Sequence, residues 1–246
     1  MTRLRASVLA ASLVLGAGVA VVAASPAQAA VICDQYGFTT AGSYTIMNNR
    51  WGTSATQCIS TSSNGFTITQ QDGVGNTSGS PTAYPAIYIG CHYTRCSPGS
   101  PLPKQISTIG SAPSSITYTY VSGTYDAAYD IWLDPAAKTD GVNQTEIMIW
   151  FNRQGSIQPI GSQVATATVG GRSWAVWSGN NGANNVISYL APSAIASWSF
   201  DVMDFVRDTI SRGRATTSWY LTSVQAGFEP WSGGVGLAVT SFSVTP

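Results

Sequence analysis

Apolar and polar residues alternate with a period of two through much of the chain. Phe66-Thr67-Ile68-Thr69 and Ile116-Thr117-Tyr118-Thr119-Tyr120 do so cleanly, which marks strands with one face toward a core. Further β-rich runs cover Ala86 to Ile89, Tyr129 to Leu133, Ile147 to Phe151, Ser173 to Trp177, Trp219 to Val224 and Val235 to Val239. Clusters of Gly, Asn, Ser and Pro separate them, as in Asp72 to Pro81, Ser97 to Pro103 and Ser178 to Asn185. Short strands punctuated this way predict an all-β sandwich or barrel. One segment follows another period. Val202, Phe205, Val206, Thr209 and Ile210 recur at the spacing of a single helical face, so one helix of about three turns is expected to pack on a sheet. Asp201 is placed to cap its start and Gly213 its end.

The N-terminus lies outside this pattern. Arg3 and Arg5 precede an apolar run from Ala6 to Ala24, and Ala27-Gln28-Ala29 matches an A-x-A cleavage site. These are the parts of a secretory signal peptide. The rival reading, an uncleaved anchor, lacks an explanation for the cleavage site. The expected organisation is therefore a signal over residues 1–30 and a single catalytic domain over 31–246, extracellular, with no membrane contact after cleavage. Removing the two arginines of the signal leaves nine basic against eleven acidic residues. A slightly acidic chain argues against nucleic acid as partner, which needs a concentrated basic surface. Only 9% of all residues are charged, and a surface polar without being ionic suits a neutral polymer.

Export also frames the cysteines. Cys33, Cys58, Cys91 and Cys96 are an even set, which in an oxidising compartment favours two disulfides. Three pairings are possible, and the sequential one is preferred because each bridge then closes a local loop. A zinc site has little support, since the spacing fits no ligand motif and His92 is the sole histidine. With that histidine beside Cys91, a Ser-His-Asp hydrolase is also disfavoured. The glycine-rich turns fit no phosphate-binding fingerprint.

Two residues stand out by scarcity. Glu146 and Glu229 are the only glutamates, and each lies in a β-rich stretch among aromatics, Thr145-Glu146-Ile147-Met148-Ile149-Trp150 and Gly227-Phe228-Glu229-Pro230-Trp231. Strand alternation puts Glu146, Met148 and Trp150 on one face and Ile147 and Ile149 on the other. Likewise Val224, Ala226 and Phe228 oppose Gln225, Gly227 and Glu229, with Trp231 on the glutamate's side. Hydrolysis of a glycosidic bond needs two carboxyls flanking the anomeric carbon, and aromatic rings offer flat faces for sugars. The alternative is a pair of structural strand residues, each held by an arginine or exposed at an edge. Asp130, with Trp132 on its side, is placed to tune a neighbouring carboxyl; its alternative is a buried aspartate bonded to backbone amides. Asn49 and Trp51 would alternate onto one strand face and bind sugar, a weak signal by itself.

Gln144-Thr145-Glu146-Ile147-Met148-Ile149-Trp150 and Gln225-Ala226-Gly227-Phe228-Glu229-Pro230-Trp231 resemble the two signature strands of glycoside hydrolase family 12, the small endoglucanases, and among them the secreted actinobacterial type. The likeness extends to Asn49 and Trp51, the four cysteines, Tyr129-Asp130-Ile131-Trp132 and the helix after Phe200. It implies a jelly-roll β-sandwich of two antiparallel sheets with a concave cleft, and retaining hydrolysis of β-1,4-glucan. It assigns Glu146 as nucleophile, Glu229 as acid/base, Asp130 as the carboxyl bonded to the nucleophile, and Asn49, Trp51, Met148 and Trp150 as substrate-binding positions. Sequential disulfides are the family pattern too. The expectation is a monomeric endo-β-1,4-glucanase with no metal and no cofactor. A xyloglucan- or mixed-linkage-specific hydrolase and a non-catalytic carbohydrate-binding jelly roll are the alternatives; a lectin has no need of two inward glutamates.

Overall fold

The computed structural model describes residues 29–246, so the expected signal segment and most of its cleavage site lie outside the described residues. In chain order the first strands are β1 (Val31–Ile32), β2 (Phe38–Ala41), β3 (Tyr44–Met47), β4 (Gln57–Thr61), β5 (Phe66–Gln71) and β6 (Ala86–His92). Next come β7 (Arg95–Cys96), β8 (Lys104–Gln105), β9 (Pro113–Thr119), β10 (Gly123–Asp134), β11 (Thr145–Gln154) and β12 (Ser162–Val169). The chain closes with β13 (Arg172–Asn180), β14 (Asn185–Leu190), β15 (Ser197–Asp201), the helix α1 (Val202–Ser211), β16 (Tyr220–Gly233) and β17 (Ala238–Val244).

Two sheets form a jelly-roll sandwich. The smaller has the order β1-β4-β5-β17-β9-β15, and the larger β12-β13-β14-β11-β10-β16-β6-β3-β2, with β7 beside β6 and β8 beside β16. The pairing is antiparallel except between β11 and β14, which run parallel with Glu146 opposite Val186 and Met148 opposite Ser188. That exception departs from two purely antiparallel sheets. It arises because the chain leaves β11, makes the β12–β13 hairpin, and returns through β14 to the flank of β11.

The expected alternation is observed. Ile131, Ile147, Ile149, Val224, Ala226 and Phe228 belong to the core between the sheets. Aromatic rings carry much of that core: Phe228 meets Phe66, Tyr118 and Tyr125 edge-on, and Tyr129 stacks on Phe151. Each fully buried side chain of this size contributes about 2 kcal/mol relative to exposure, so the rigidity of the layer behind the cleft follows from its composition. The helix forms where its period predicts. Asp201 accepts a hydrogen bond from Met203 N at 2.9 Å, satisfying one of the free amides of the first turn. Gly213 follows the last turn with φ of 72°, a left-handed conformation that glycine adopts without penalty. Phe205 packs edge-on against Trp174, Tyr189, Trp198 and Phe200.

Two local expectations are corrected. Val235 sits in a turn, and the last strand starts three residues later at Ala238, after Gly233, Gly234 and Gly236 have each taken a positive φ. Asn49 and Trp51 are not on a strand: Asn48 to Trp51 is irregular, and Asn49 has φ of 38°. A left-handed residue breaks the period of two, so the alternation assumed for that pair does not hold. Both disulfides follow the sequential pairing, Cys33–Cys58 and Cys91–Cys96.

Candidate active site

The concave face of the large sheet is lined by the alternate residues that the core does not use. Its centre is β10, flanked by β11 and β16. On this face β10 presents Asp126, Ala128, Asp130 and Trp132. Trp132 pairs with Glu146, Asp130 lies between Met148 and Gln225, and Asp126 pairs with Glu229. The two glutamates therefore stand on opposite sides of β10, diagonally across Ala128 and Asp130, and the charge of Glu146 is felt at Glu229. A glycine is required two residues before Glu229. A Cβ at Gly227 would meet the Pro85 carbonyl oxygen at 2.1 Å, so only the bare backbone lets the segment before β6 pass there.

Four carboxyls thus share one face. Asp126 is 0% exposed, Asp130 4% and Glu146 8%, while Glu229 is half-buried. Burial disfavours the charged form of each, and burial is the first cause of every shift here. It raises Asp126, Asp130 and Glu229 well above the ordinary carboxyl range, with neighbouring carboxyl charges adding to the rise at each. Glu146 is raised less, because its Oε2 accepts a hydrogen bond from Asn184 Nδ2 at 3.1 Å that favours the anion. Asn184 is held by the β13–β14 turn, where Asn181 Oδ1 accepts from the amides of Ala183 and Asn184. The hydrogen bond found on Glu146 therefore comes from Asn184 rather than Asp130, whose own carboxyl is raised, after burial, by the charges of Glu146 and Glu229.

The aromatic positions divide in two. Met148 and Trp150 lie on the concave face as the alternation requires, but they are 4% and 2% exposed, packed with Trp231, Leu190 and Ile157. They form the floor under the cleft, with little of their side-chain surface left open. Trp132 and Trp177 are half-buried on the same face. Trp51 is 44% exposed. Its segment is tied to the Glu229 end of β16 in two steps. Gly52 N donates to Thr82 O at 2.8 Å and Tyr84 N to Asn49 O at 2.9 Å. Thr82 then donates to the Pro230 carbonyl from both its amide and its hydroxyl, at 2.9 and 2.7 Å.

Asp126, Asn184 and Trp177 were not singled out by sequence reasoning. Asp126 was legible, since it precedes Asp130 by four and must share its face. Asn184 was not, because it acts from a turn whose sequence, Asn180-Asn181-Gly182-Ala183-Asn184, gives no direction to any side chain. No group of three or more His, Cys, Asp or Glu among the described residues is arranged to hold a metal ion.

A jelly roll with a curved sheet carrying buried carboxyls among tryptophans has the form of a polysaccharide-cleaving enzyme. Comparison with known proteins gives the family. The profile of Glycosyl hydrolase family 12 matches residues 42–245, and the chain belongs to that family. It is 57% identical over 146 residues to the probable cellulase Cel12b of Mycobacterium tuberculosis, covering 59% of this chain and 97% of that one. Against the probable xyloglucan-specific endo-beta-1,4-glucanase A of Aspergillus terreus the identity is 36% over 220 residues, covering 85% and 84%. The solved structure of endo-1,4-beta-glucanase CelB2, a cellulase in its native form, superposes with a TM-score of 0.87 at 62% identity, covering 87% of this chain and 98% of that one.

Proposed function

We propose that this family 12 hydrolase is a secreted endo-β-1,4-glucanase that retains anomeric configuration, with Glu146 as nucleophile and Glu229 as acid/base. One observation carries the division of roles: the two glutamates have opposite partners. Glu146 accepts a hydrogen bond from a neutral amide, which favours its anion, while Glu229 lies against the carboxyl of Asp126, which favours its protonated form. In the first step a Glu146 oxygen bonds to the anomeric carbon as the glycosidic C–O bond breaks, and the Glu229 proton goes to the leaving oxygen. In the second, Glu229 takes a proton from water, the water oxygen bonds to the same carbon, and Glu146 leaves as carboxylate. Trp51, Trp132 and Trp177 supply the ring faces along the cleft. Asp130 stands between the two glutamates, whose charges help hold its carboxyl protonated, and Asn49 shapes the segment that carries Trp51.

The N-terminal signal pattern and the two disulfides support action outside the cell. A preference for xyloglucan is the second reading, favoured by the Aspergillus terreus relative's name. Reducing-sugar release from carboxymethylcellulose, mixed-linkage β-glucan and xyloglucan separates the two. The roles are tested with a 2-fluoro cellooligosaccharide bearing a good leaving group, which accumulates the covalent glycosyl ester. Mass spectrometry of the digested protein is expected to find one added sugar on the peptide carrying Glu146. Label on the Glu229 peptide would reverse the assignment, and absence of label despite turnover of the parent glucan would remove the covalent route.

A further inference from the structure

Asp126 enters that scheme only as a carboxyl beside Glu229, and its setting demands a more definite task. It is fully buried on the central strand of the site, directly opposite Glu229 in the β10–β16 ladder. Neither of its oxygens receives a hydrogen bond of good geometry from any backbone, hydroxyl or amide donor. Two parts of Glu229 come within reach of it, the backbone N–H, poorly aligned, and the side-chain carboxyl. Nor is a counter-charge supplied. Asp130 shares its strand face, Glu146 projects from β11, Tyr84 comes from the segment before β6, and Tyr118 reaches in from the small sheet. None of these is a cation. Arg153 stands opposite Asp126 on β11, but its guanidinium donates to the Ile157 carbonyl at 3.0 Å and forms no ion pair with Asp126.

An ionised carboxylate can only accept a hydrogen bond. Two carboxylates in contact, one of them buried with no other donor, cannot both stay ionised; one proton held between them satisfies both. We propose that Asp126 is a positioning residue for the acid/base: its carboxyl shares one proton with that of Glu229, aims the proton-bearing oxygen, and keeps that proton bound at higher pH than Glu229 alone would. The proposal deepens the functional reading above and rests on Glu229 being the acid/base. It also gives the second step its drive. Once the proton has gone to the leaving oxygen, two adjacent anions remain, and their repulsion makes Glu229 the stronger base toward the incoming water. Taking one proton from that water restores the shared state, so the cycle closes without any other donor. The raised Glu229 pKa, caused first by burial and next by the Asp126 charge, agrees in direction.

The test is kcat/KM against pH for the wild type, Asp126→Asn and Glu229→Gln. Asn has the size of Asp, carries no charge, and donates to a Glu229 anion. The basic limb of Asp126→Asn is therefore expected to move to lower pH by about one unit, with the acid limb in place. The loss should depend on the leaving group: roughly 10-fold or more on glucan, and under about 2-fold for the first step on a dinitrophenyl cellobioside, whose leaving group needs no proton. A basic limb that stays or moves up, or equal losses on both substrates, would overturn the proposal. If Glu229→Gln abolishes the basic limb while Asp126→Asn leaves it unmoved, only this inference falls; a basic limb that survives Glu229→Gln removes the acid/base assignment beneath it. A second measurement needs no variant. With just two glutamates in the chain, carbon-13 labelling of glutamate carboxyls gives two resonances, and the Glu229 signal is expected to titrate in two steps because its partner titrates with it. A single-step curve for both signals would overturn the shared proton.

Discussion

The two faces of the large sheet are made by the same strands and are opposite in every physical respect. Between the sheets, β10, β11 and β16 present Ile131, Ile147, Ile149, Val224 and Phe228, apolar groups that gain by leaving water. On the concave side the intervening residues are Asp126, Asp130, Glu146 and Glu229, carboxyls that lose by it. One face therefore stabilises the fold, and the other draws on that stability to hold like charges together. The period of two is what lets a single strand do both. It also separates the two properties cleanly, so that stability and catalysis are expected to respond to different substitutions one residue apart.

The largest effect should come from the concave face and appear in rate alone. Glu146→Gln and Glu229→Gln are each expected to lower kcat on glucan about 10³-fold or more. Their melting temperatures should be unchanged or higher, because removing one buried carboxyl relieves both desolvation and repulsion. The wild-type pH profile should be a bell. Activity rises as Glu146 loses its proton and falls as Glu229 loses its own, so the acid limb belongs to Glu146 and the basic limb to Glu229. Hydrolysis assays and calorimetry on the same preparations check this. A melting temperature that drops as far as activity does would mean that the glutamates hold the fold.

One residue along, the expectation inverts. Ile147 is fully buried on the core side of β11, and Ile147→Ala is expected to cost about 2–5 kcal/mol of unfolding free energy. The enzyme that remains folded should keep kcat within a few-fold. Denaturant unfolding paired with activity per folded molecule is the measurement. A large loss of kcat in well-folded Ile147→Ala would show the faces to be coupled.

This division explains how much could be read from the residues. Alternation is a local property, so the strands around Glu146 and Glu229, their core faces and the single helix were all legible, whereas loop length supplied only a preference among three pairings of the cysteines. Four kinds of feature were not legible. Edge strands such as β12, Ser162–Val169, are exposed along most of their length and carry no apolar stripe to announce them. Backbone that leaves the period, as at Asn49, defeats the rule that placed it on a face. Depth also escapes: alternation put Trp150 on the cleft side, but nothing in its neighbours shows that Ile157 and Leu190 cover it. Contacts across sequence, such as Asn184 on Glu146, depend on which strands the topology brings together.

The disulfides test the same separation away from the sandwich centre. Cys33–Cys58 spans 25 residues and ties the end of β1 to β4 in the small sheet, whereas Cys91–Cys96 spans 5 and closes the β6–β7 hairpin of the large one. By loop entropy the first should contribute about 3.5 kcal/mol and the second about 2 kcal/mol. Serine pairs at Cys33 and Cys58 should therefore lower stability more than at Cys91 and Cys96, with kcat retained in both. The reverse order would assign the strength of these bridges to native contacts, not to the unfolded chain.

The smallest expected effect is a control on the concave face itself, using a titrating group outside the carboxyl cluster. His92 ends β6, its Nδ1 lies 3.4 Å from Gln225 Nε2, and its pKa is lowered from 6.5 to about 4, first by burial and then by the Arg95 charge. The sign follows from linkage. Between those two values the unfolded chain binds a proton at His92 that the folded protein refuses, so stability is full above about pH 6.5 and declines as pH falls toward 4. The whole gap would correspond to about 3.4 kcal/mol, but the ring keeps some contact with solvent, which reduces the expected contribution to ~1 kcal/mol. His92→Gln keeps a polar partner for Gln225 and removes the titration. The loss of unfolding free energy between pH 7 and pH 4.5 should then be smaller by ~1 kcal/mol than in the wild type, while the bell in kcat/KM stays where it was. If the pH dependence of stability is the same in both proteins, burial on this face does not by itself set protonation, and the raised carboxyls owe more to each other than to the loss of water.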